Sequence, residues 1–539
     1  MTLIRIQYVI LLFLSTASNT VVAQLTDSNL PIFVITTDNG TIQDEPKTRA
    51  HLGVVYNSDS ERNNLTDEYN HYDGIIGIEL RGATSQSLFE KKGYAMETRK
   101  DNGSNNNVEL LGLPKENDWV LHGPYSDKTL MRNALTYCLA GELMEYAPRI
   151  KFIELIIDDM YKGVYLLTEK IKVDKNRVDI TKQEGNTDDV SGGYILKLDK
   201  KEGGASVGFN SEYPAYSNAW QKSFYQFHFP KTADVTPEQF EYVENLISEI
   251  DDVFMSDDFA DVTNGYSKYL DENTIIDYLI INELSKNPDA YRLSTFFYKD
   301  KDEIDPRFKM GPVWDYNLAF GNVNYCTNGN PEGFVVNRFN EVCPDDYWVI
   351  NFWWDKLLDD TLFTNKLEDR WAELRLSTLS EFSIHSKIDS FANILNESQQ
   401  RNFSLYPILD THIWPNFSVE GSYAREVQRL KDWVSARLIW LDENLATFSL
   451  PPYNRNFEFD PIIIPNPVIE NAFIRYYSHQ AASVEFNIFD ASGRMLYHVE
   501  PLDKISGFNE ITLPMSLSPG IYYYRLIINE NSFGGSFTK

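Results

Sequence analysis

The run "LPPYNRNFEFDPIIIPNP" at 450–467 splits the chain into two parts with different patterns. Before it, strand-like and helix-like stretches mix, and long amphipathic helices dominate from Tyr347 to Ser449. After it come short alternating strands: "VEFNIFDASGRMLYHV", "NEITLP" and "GIYYYRLII". Each proline fixes φ and removes a backbone donor, so no single helix or central strand runs through such a segment. The 539 residues must therefore build separate cores on either side of it. The tail reads as a small β-sandwich.

In the larger part, "LPIFVITT" (30–37) and "GIIGIELRG" (74–82) read as strands, and the polar stretch "SDSERNNLTDEYNHYD" as a loop. "KKGYAMETRKDNGSNNNVELLGL" holds two strands about a polar turn. Residues 126–146 form a helix in which Leu135, Leu139 and Leu143 repeat at four-residue spacing, with Asp127 as its N-cap. A hairpin follows, turning at Asp158–Lys162, and "SGGYILKLDK" adds a strand. "PEQFEYVENLISEIDDVFM" and "TIIDYLIINELSKN" are helical. "LSTFFYKDKDEIDPRFKMGPVW" is a hairpin with a charged tip that ends at Asp315.

The N-terminus has Arg5, the apolar run Tyr8–Leu14 and small residues up to Ala23, the three-part pattern of a secretory signal peptide. Its apolar core is shorter than the ~20 residues a membrane span needs. The expected product is exported, with no transmembrane segment in the mature chain. The formal net charge of −30 repels phosphate backbones and argues against nucleic acid as a partner. Three cysteines make neither a disulfide framework nor a zinc cluster. Cys326 and Cys343 can pair in an oxidising compartment, and Cys138 is expected to be buried. No GxSxG elbow, HExxH or Walker A loop is present. The many carboxylates do not single out a glycosidase pair.

Two resemblances order these pieces. "PNPV" (465–468), "FNIFDASGRML" (486–496), "FNEITLP" (508–514) and "SPGIYYYRL" (518–526) resemble the type A sorting domain of the type IX secretion system of Bacteroidetes. That likeness implies a cell-surface or secreted protein and the type IX secretion machinery as a partner; "GGSFTK" at the end is a looser match. The blocks "ELRGATSQSLFEKKGYAMETR" (79–99), 110–143, 152–180, "SGGYILKLD" (191–199) and 287–322 resemble, in order, the CotH kinase family, described as atypical protein kinases. The implied fold class is α+β: a two-lobed, atypical protein-kinase-like domain followed by a small all-β sandwich. The expected division is 1–23 signal peptide, 24–69 strand and loop segment, 70–450 kinase-like domain, 451–461 linker and 462–539 sorting sandwich. The implied cofactors are ATP and Mg²⁺ or Mn²⁺, and the implied partner is a protein substrate.

Phosphoryl transfer needs positioning and electrostatics, so cations, a metal-holding carboxylate and a hydroxyl-orienting group are the residues to seek. Asp315 in "VWDYNLAFGN", with Asn317, is the metal candidate; an Asx-turn is the plainer reading. Asp289 in "NPDAYRLS" is the candidate base, and the same turn chemistry applies to it. Ordinary kinases carry an Asn five residues beyond that Asp; here the position is Ser294, a weaker ligand for a second metal. Arg81, Lys91 and Lys92 are the phosphate-side cations, with "RGATSQS" a small-residue loop whose N–H groups can approach phosphate. The two lysines alternate faces, so one points inward, and Glu142 is the helix carboxylate that would fix it. Arg132 and Asn133 brace the phosphate loop or anchor their helix. Glu169 and Lys170 lie where a nucleotide-contacting hinge belongs, or form a solvated strand end. Two other readings stay open: a pseudokinase-like module that binds nucleotide, protein or glycan without turnover, and a polysaccharide-acting surface protein.

Overall fold

The computed structural model describes residues 25–539 apart from 39, 59–60, 83, 183–188, 202–206, 218, 327, 446–460 and short pieces of the tail (465–466, 469–471, 479–481, 505–506, 515, 529–530). The expected signal peptide and nearly all of the expected linker lie outside the described residues.

Seven strands close into a barrel. In spatial order they are Ile32–Thr37, Thr48–Val55, Tyr72–Arg81, Gly93–Thr98, Asp118–His122, Met160–Glu169 and Ile150–Ile157. All neighbours are antiparallel except at the seam, where Ile150–Ile157 runs parallel to Ile32–Thr37 with Glu154 opposite Ile32. Alternate residues fill the interior: Phe33 and Ile35, Leu52 and Val54, Ile76 and Ile78, Trp119 and Leu121, Ile153 and Leu155, Tyr165 and Leu167. That period of two is what a closed sheet demands. On the hairpin staves the other face is buried too, since Phe152, Val164 and Leu166 pack against the helical body. This explains the near-continuous apolar runs there. The hairpin turns at Asp158 and Asp159, both with positive φ, and the Asp158 carboxylate accepts from Thr37 N at 2.7 Å.

The boundary expected near residue 70 does not separate two bodies. Strands Ile32–Thr37 and Thr48–Val55 are staves of the same barrel as Tyr72–Arg81. The expected helix at 126–146 is shorter, Arg132–Leu143. Asp127 lies ahead of it, and its carboxylate accepts from the first helical N–H, that of Arg132, at 2.8 Å.

Beside the barrel lies a second antiparallel sheet, ordered Gly208–Asn210, Phe224–Phe229, Tyr194–Leu198, Thr295–Lys299 and Lys309–Met310. The helix Pro237–Met255 opens with a capping box of Thr236 and Gln239. The helix Glu272–Ser285 is buried at every position from Ile275 onward and forms the spine of the main core. Five helices between Trp353 and Asn444 share this core, Trp353–Asp359, Thr361–Arg375, Glu381–Ile394, Ser398–Leu405 and Tyr423–Asn444, with the second and the last packed directly on the spine. Cys326 and Cys343 form a disulfide. Cys138 is free and half-buried, not fully buried as expected, because it stands toward the open side of its helix.

The tail forms a three-stranded and a four-stranded antiparallel sheet around one core of Ile474, Tyr476, Val484, Phe486, Ile511 and Leu526. The "ASG" turn is closed by Asp490, whose carboxylate accepts from Ser492 N, Ser492 Oγ and Arg494 N. Arg475 reaches out of this unit to the Arg375 carbonyl at 3.3 Å.

Candidate active site

The end of the Tyr72–Arg81 stave, the end of Met160–Glu169 and the segment after Lys309–Met310 converge on one cleft. Its floor is Asp315. The carboxylate is open to water yet surrounded by protein, and it accepts no hydrogen bond among the described residues. Desolvation in the cleft, with the charge of Asp289 second, pushes its pKa up to about 6; Arg81 offsets part of this. Asp315 adopts φ +65°, a region costly for a residue with a Cβ. Its neighbours hold it there. Asp315 N donates to the Tyr137 hydroxyl at 3.0 Å, and Tyr316 N donates to Asn133 Oδ1 at 2.6 Å.

Two cations stand here without an ion pair among the described residues: Arg81, which acts on Asp315 directly, and Lys170, which acts on Arg81. The Arg81 guanidinium lies over the Trp314 ring, 5.0 Å from its centroid, and makes no hydrogen bond or ion pair among the described residues. Lys170 follows the last residue of its stave. Burial lowers its pKa, partly opposed by Asp118, with Arg81 lowering it further. No carboxylate or carbonyl holds its ammonium among the described residues. Arg81 also acts electrostatically on His122 and His228. Desolvation drives both to pKa values of about 4, so both rings are neutral at ordinary pH. Cations without ion pairs beside a carboxylate that accepts no hydrogen bond are a place for polyanion and metal together.

Asp289 faces the same cleft from the loop after the Glu272–Ser285 helix. Arg292 Nη2 donates to its carboxylate at 2.9 Å, and the Arg292 guanidinium stacks 4.1 Å from the Phe339 ring centroid. The loop is held from behind by Glu283. This fully buried carboxylate accepts from the Tyr291 hydroxyl at 2.9 Å, from Val336 N at 2.9 Å and from Arg437 Nη2 at 3.1 Å. Tyr291 and Ser294, either side of Arg292, both have positive φ. Such outliers gather where surrounding structure over-determines a loop.

The profile of the family described as CotH kinase protein matches residues 78–441. The chain belongs to the CotH kinase family. No curated protein matches it. Membership suggests a phosphotransferase, an atypical kinase that uses ATP, and implies a kinase-like fold for the domain.

Against that family, the expected site residues divide sharply. Asp315, Asp289 and Arg81 share the cleft. Asn317 and Ser294 sit half-exposed on the two carboxylate-bearing segments, with no side-chain hydrogen bond among the described residues. Arg132 is buried and bonds the Ala319 carbonyl at 3.0 Å and Asp127, so it ties its helix to the loop after Asp315 and touches no open space.

The lysines expected on the phosphate side stand elsewhere. Lys91 is 1% exposed, donates to the Val164 carbonyl and Asn402 Oδ1, and lies against the Tyr165 and Tyr406 rings. Burial holds its pKa well below the usual lysine range. Both lysines precede the strand Gly93–Thr98 instead of lying on it, so alternation does not set their faces, and Lys91 points toward the helix Ser398–Leu405. Lys92 caps carbonyls of Gln86 and Phe89, closing the short helix Thr84–Leu88 that replaces the expected phosphate loop. Glu142 pairs with Lys387 at 3.0 Å and fixes neither lysine. Glu169 is fully buried between Arg149 and Arg177, each at 3.1 Å, so its carboxylate is neither solvated nor free for nucleotide. The residues that sequence reasoning missed are Glu283, Arg292 and Tyr137. Glu283 had a signal: a charge inside the otherwise apolar "IIDYLIINELS".

Among the described residues no three His, Cys, Asp or Glu side chains gather to hold a metal. Asp315 with Asn317 nonetheless fits Mg²⁺ or Mn²⁺, because such ions take one or two protein oxygens and complete their shell with phosphate and water. The unpaired, desolvated carboxylate is the observation that carries this fit.

Proposed function

We propose that the protein is an ATP-dependent protein kinase whose reaction centre is the cleft of Asp315, Asp289, Arg81 and Lys170. The carrying observation is that Asp289 and Arg81 act on Asp315, with Lys170 within electrostatic reach of Arg81, while Asp315, Arg81 and Lys170 make no ion pair among the described residues. Bound at Asp315 and Asn317, a divalent cation would neutralise charge on the transferring phosphate. Arg81 and Lys170 bind phosphate oxygens and spread the remaining charge. Asp289 orients the acceptor hydroxyl and takes its proton as the new O–P bond forms and the β,γ-bridging bond breaks, releasing ADP. Arg292 keeps the Asp289 carboxylate turned toward the cleft.

Ser294 supports a second reading, a weak or inactive kinase that binds nucleotide, because a hydroxyl replaces the amide oxygen that ordinary kinases give the second metal. The N-terminal pattern of 1–23 and the turn order of 462–539 support export through the type IX route. Among the described residues no helix is long and apolar enough to cross a membrane.

The test is incubation of the protein with γ-labelled ATP and Mg²⁺ or Mn²⁺, read as label on the chain or on added protein. Metal-dependent transfer that Asp289→Asn abolishes supports the first reading. Metal-dependent ATP binding without transfer supports the second.

A further inference from the structure

An aromatic shelf is joined to Asp289 through Arg292. Trp220 is 70% exposed and Tyr347 59%, unusual values for such large rings. They meet edge to face, 5.6 Å between centroids, and Trp348 continues the row 5.1 Å from Tyr347.

The segment beneath these rings is tied at five points. Gln221, buried, donates to the Pro344 and Asp346 carbonyls at 3.2 and 3.0 Å. Arg292 donates to the Trp348 carbonyl at 2.9 Å and pairs with Asp346 at 3.3 Å. The disulfide at Cys343 anchors the start of the same segment. The arginine that grips Asp289 therefore also fixes the shelf, so the rings stand at a set position relative to the candidate base.

The charges on the shelf are uneven. Lys200 lies 5.2 Å from the Trp348 ring centroid and Lys201 lies 3.9 Å from that of Phe224, and neither pairs with a carboxylate among the described residues. Asp346 is neutralised by Arg292, and Asp199 has Lys197 at 3.6 Å. Asp345 is exposed. On a chain of net charge −30, two lysines without an ion pair among the described residues offset the shelf's acids and leave it far less acidic than the molecule as a whole.

We infer that this shelf docks the acceptor, and that the acceptor is an extended polypeptide carrying acidic residues beside its hydroxyl and an aromatic side chain on the outer side. Trp and Tyr supply stacking area at low entropic cost, and the lysines select the acidic flank. The inference rests on the kinase reading for the word acceptor, but docking itself does not require turnover.

The experiment is fluorescence-anisotropy titration, without nucleotide, of labelled 12-residue peptides centred on Ser. One carries Glu flanks and a Tyr, a second Lys flanks and a Tyr, and a third Glu flanks with Ala for Tyr. Neutral oligosaccharides serve as competitors. The Glu/Tyr peptide is expected to bind about tenfold or more tighter than either other peptide, to weaken with salt, and to lose about tenfold in Trp220→Ala/Tyr347→Ala and in Lys201→Glu. Unchanged thermal melting of both variants shows that the loss is local. Equal binding of all three peptides, binding of none, or displacement by a neutral oligosaccharide overturns the inference. Failure of phosphate transfer alone bears on the kinase reading and leaves these titrations to decide docking.

Discussion

Glu283 and Asp315 are both acids beside the same loops, and their surroundings are opposite. Glu283, behind the cleft, is met by a guanidinium, a phenol and two backbone donors. Asp315, on the cleft floor, receives none of these and is left with the repulsion of Asp289. The cations divide likewise: Arg437 and Arg177 are buried in ion pairs, whereas Arg81 and Lys170 face the cleft unpaired. Saturated charges set the position of the loops; unsaturated ones are left for something that is not protein. A buried charge with its partner removed is costly, whereas an unpaired charge in a cleft is already at a cost that a ligand can relieve.

The contrast breaks first at Glu283. Glu283→Gln leaves Arg437 buried without its counter-charge, and a loss of about 3–5 kcal/mol in urea-unfolding free energy is expected. A stability change within ~0.5 kcal/mol would mean that the set behind the cleft is no scaffold.

Asp289→Asn should do the reverse. Phosphate transfer should fall by a factor of about 10²–10⁴ with ATP binding and melting temperature retained. Undiminished transfer would place the base elsewhere.

Arg81→Ala and Lys170→Ala come next. Charge-assisted hydrogen bonds are worth about 1.5–3 kcal/mol, so each should weaken ATP by roughly ten- to a hundredfold in isothermal titration. Folding stability should change little, because neither cation makes an ion pair among the described residues. Lys91→Met should instead leave ATP affinity unchanged.

A smaller, pH-dependent effect isolates Asp315. Its carboxyl keeps its proton up to about pH 6 in the fold, against a usual value of 3.8. The native state therefore binds more protons than the unfolded chain between those values, and the ionised carboxylate costs stability in full above pH 6. Asp315→Asn should raise the unfolding free energy of the ligand-free protein at pH 7 by about 1 kcal/mol once access to water is discounted. The gain should fade between pH 6 and pH 4. Metal-dependent nucleotide binding should be lost in the same variant. A parent-like metal dependence would return Asp315 to a turn role.

Least of all should Ser294→Asn disturb the molecule. The residue sits at φ +47°, which Asn tolerates better than Ser. Stability should hold, and transfer should hold or rise within a few-fold by the same assay.

Strand and helix periodicity located most elements, and the order of blocks led to Asp289 and Asp315. The cations were harder, because Lys91 and Lys92 precede the strand Gly93–Thr98 expected to carry them, and because a local pattern does not show what lies across each face. Lys91 points inward, but its inward neighbour is Asn402, supplied by a helix more than 300 residues later. Glu169 looked like a solvated strand end, yet two arginines from separate loops cover it. The Glu283 hub was visible only as a misplaced charge. Barrel closure was invisible, since the parallel seam joins strands with no local signal between them.

That seam also fixes how much chain must exist before the first lobe can be complete. Ser28 beside it donates to Glu154, 126 residues further on. Until Ile157 is available, the strand Ile32–Thr37 stands as an open margin with half its backbone groups unmatched. A fragment cut to the family match, 78–441, would lack two whole staves and most of a third. It would present two raw sheet margins toward its neighbours, a shape that polymerises sooner than it catalyses. The smallest piece that can carry the cleft thus begins before Ile32, well ahead of the point where family likeness becomes detectable.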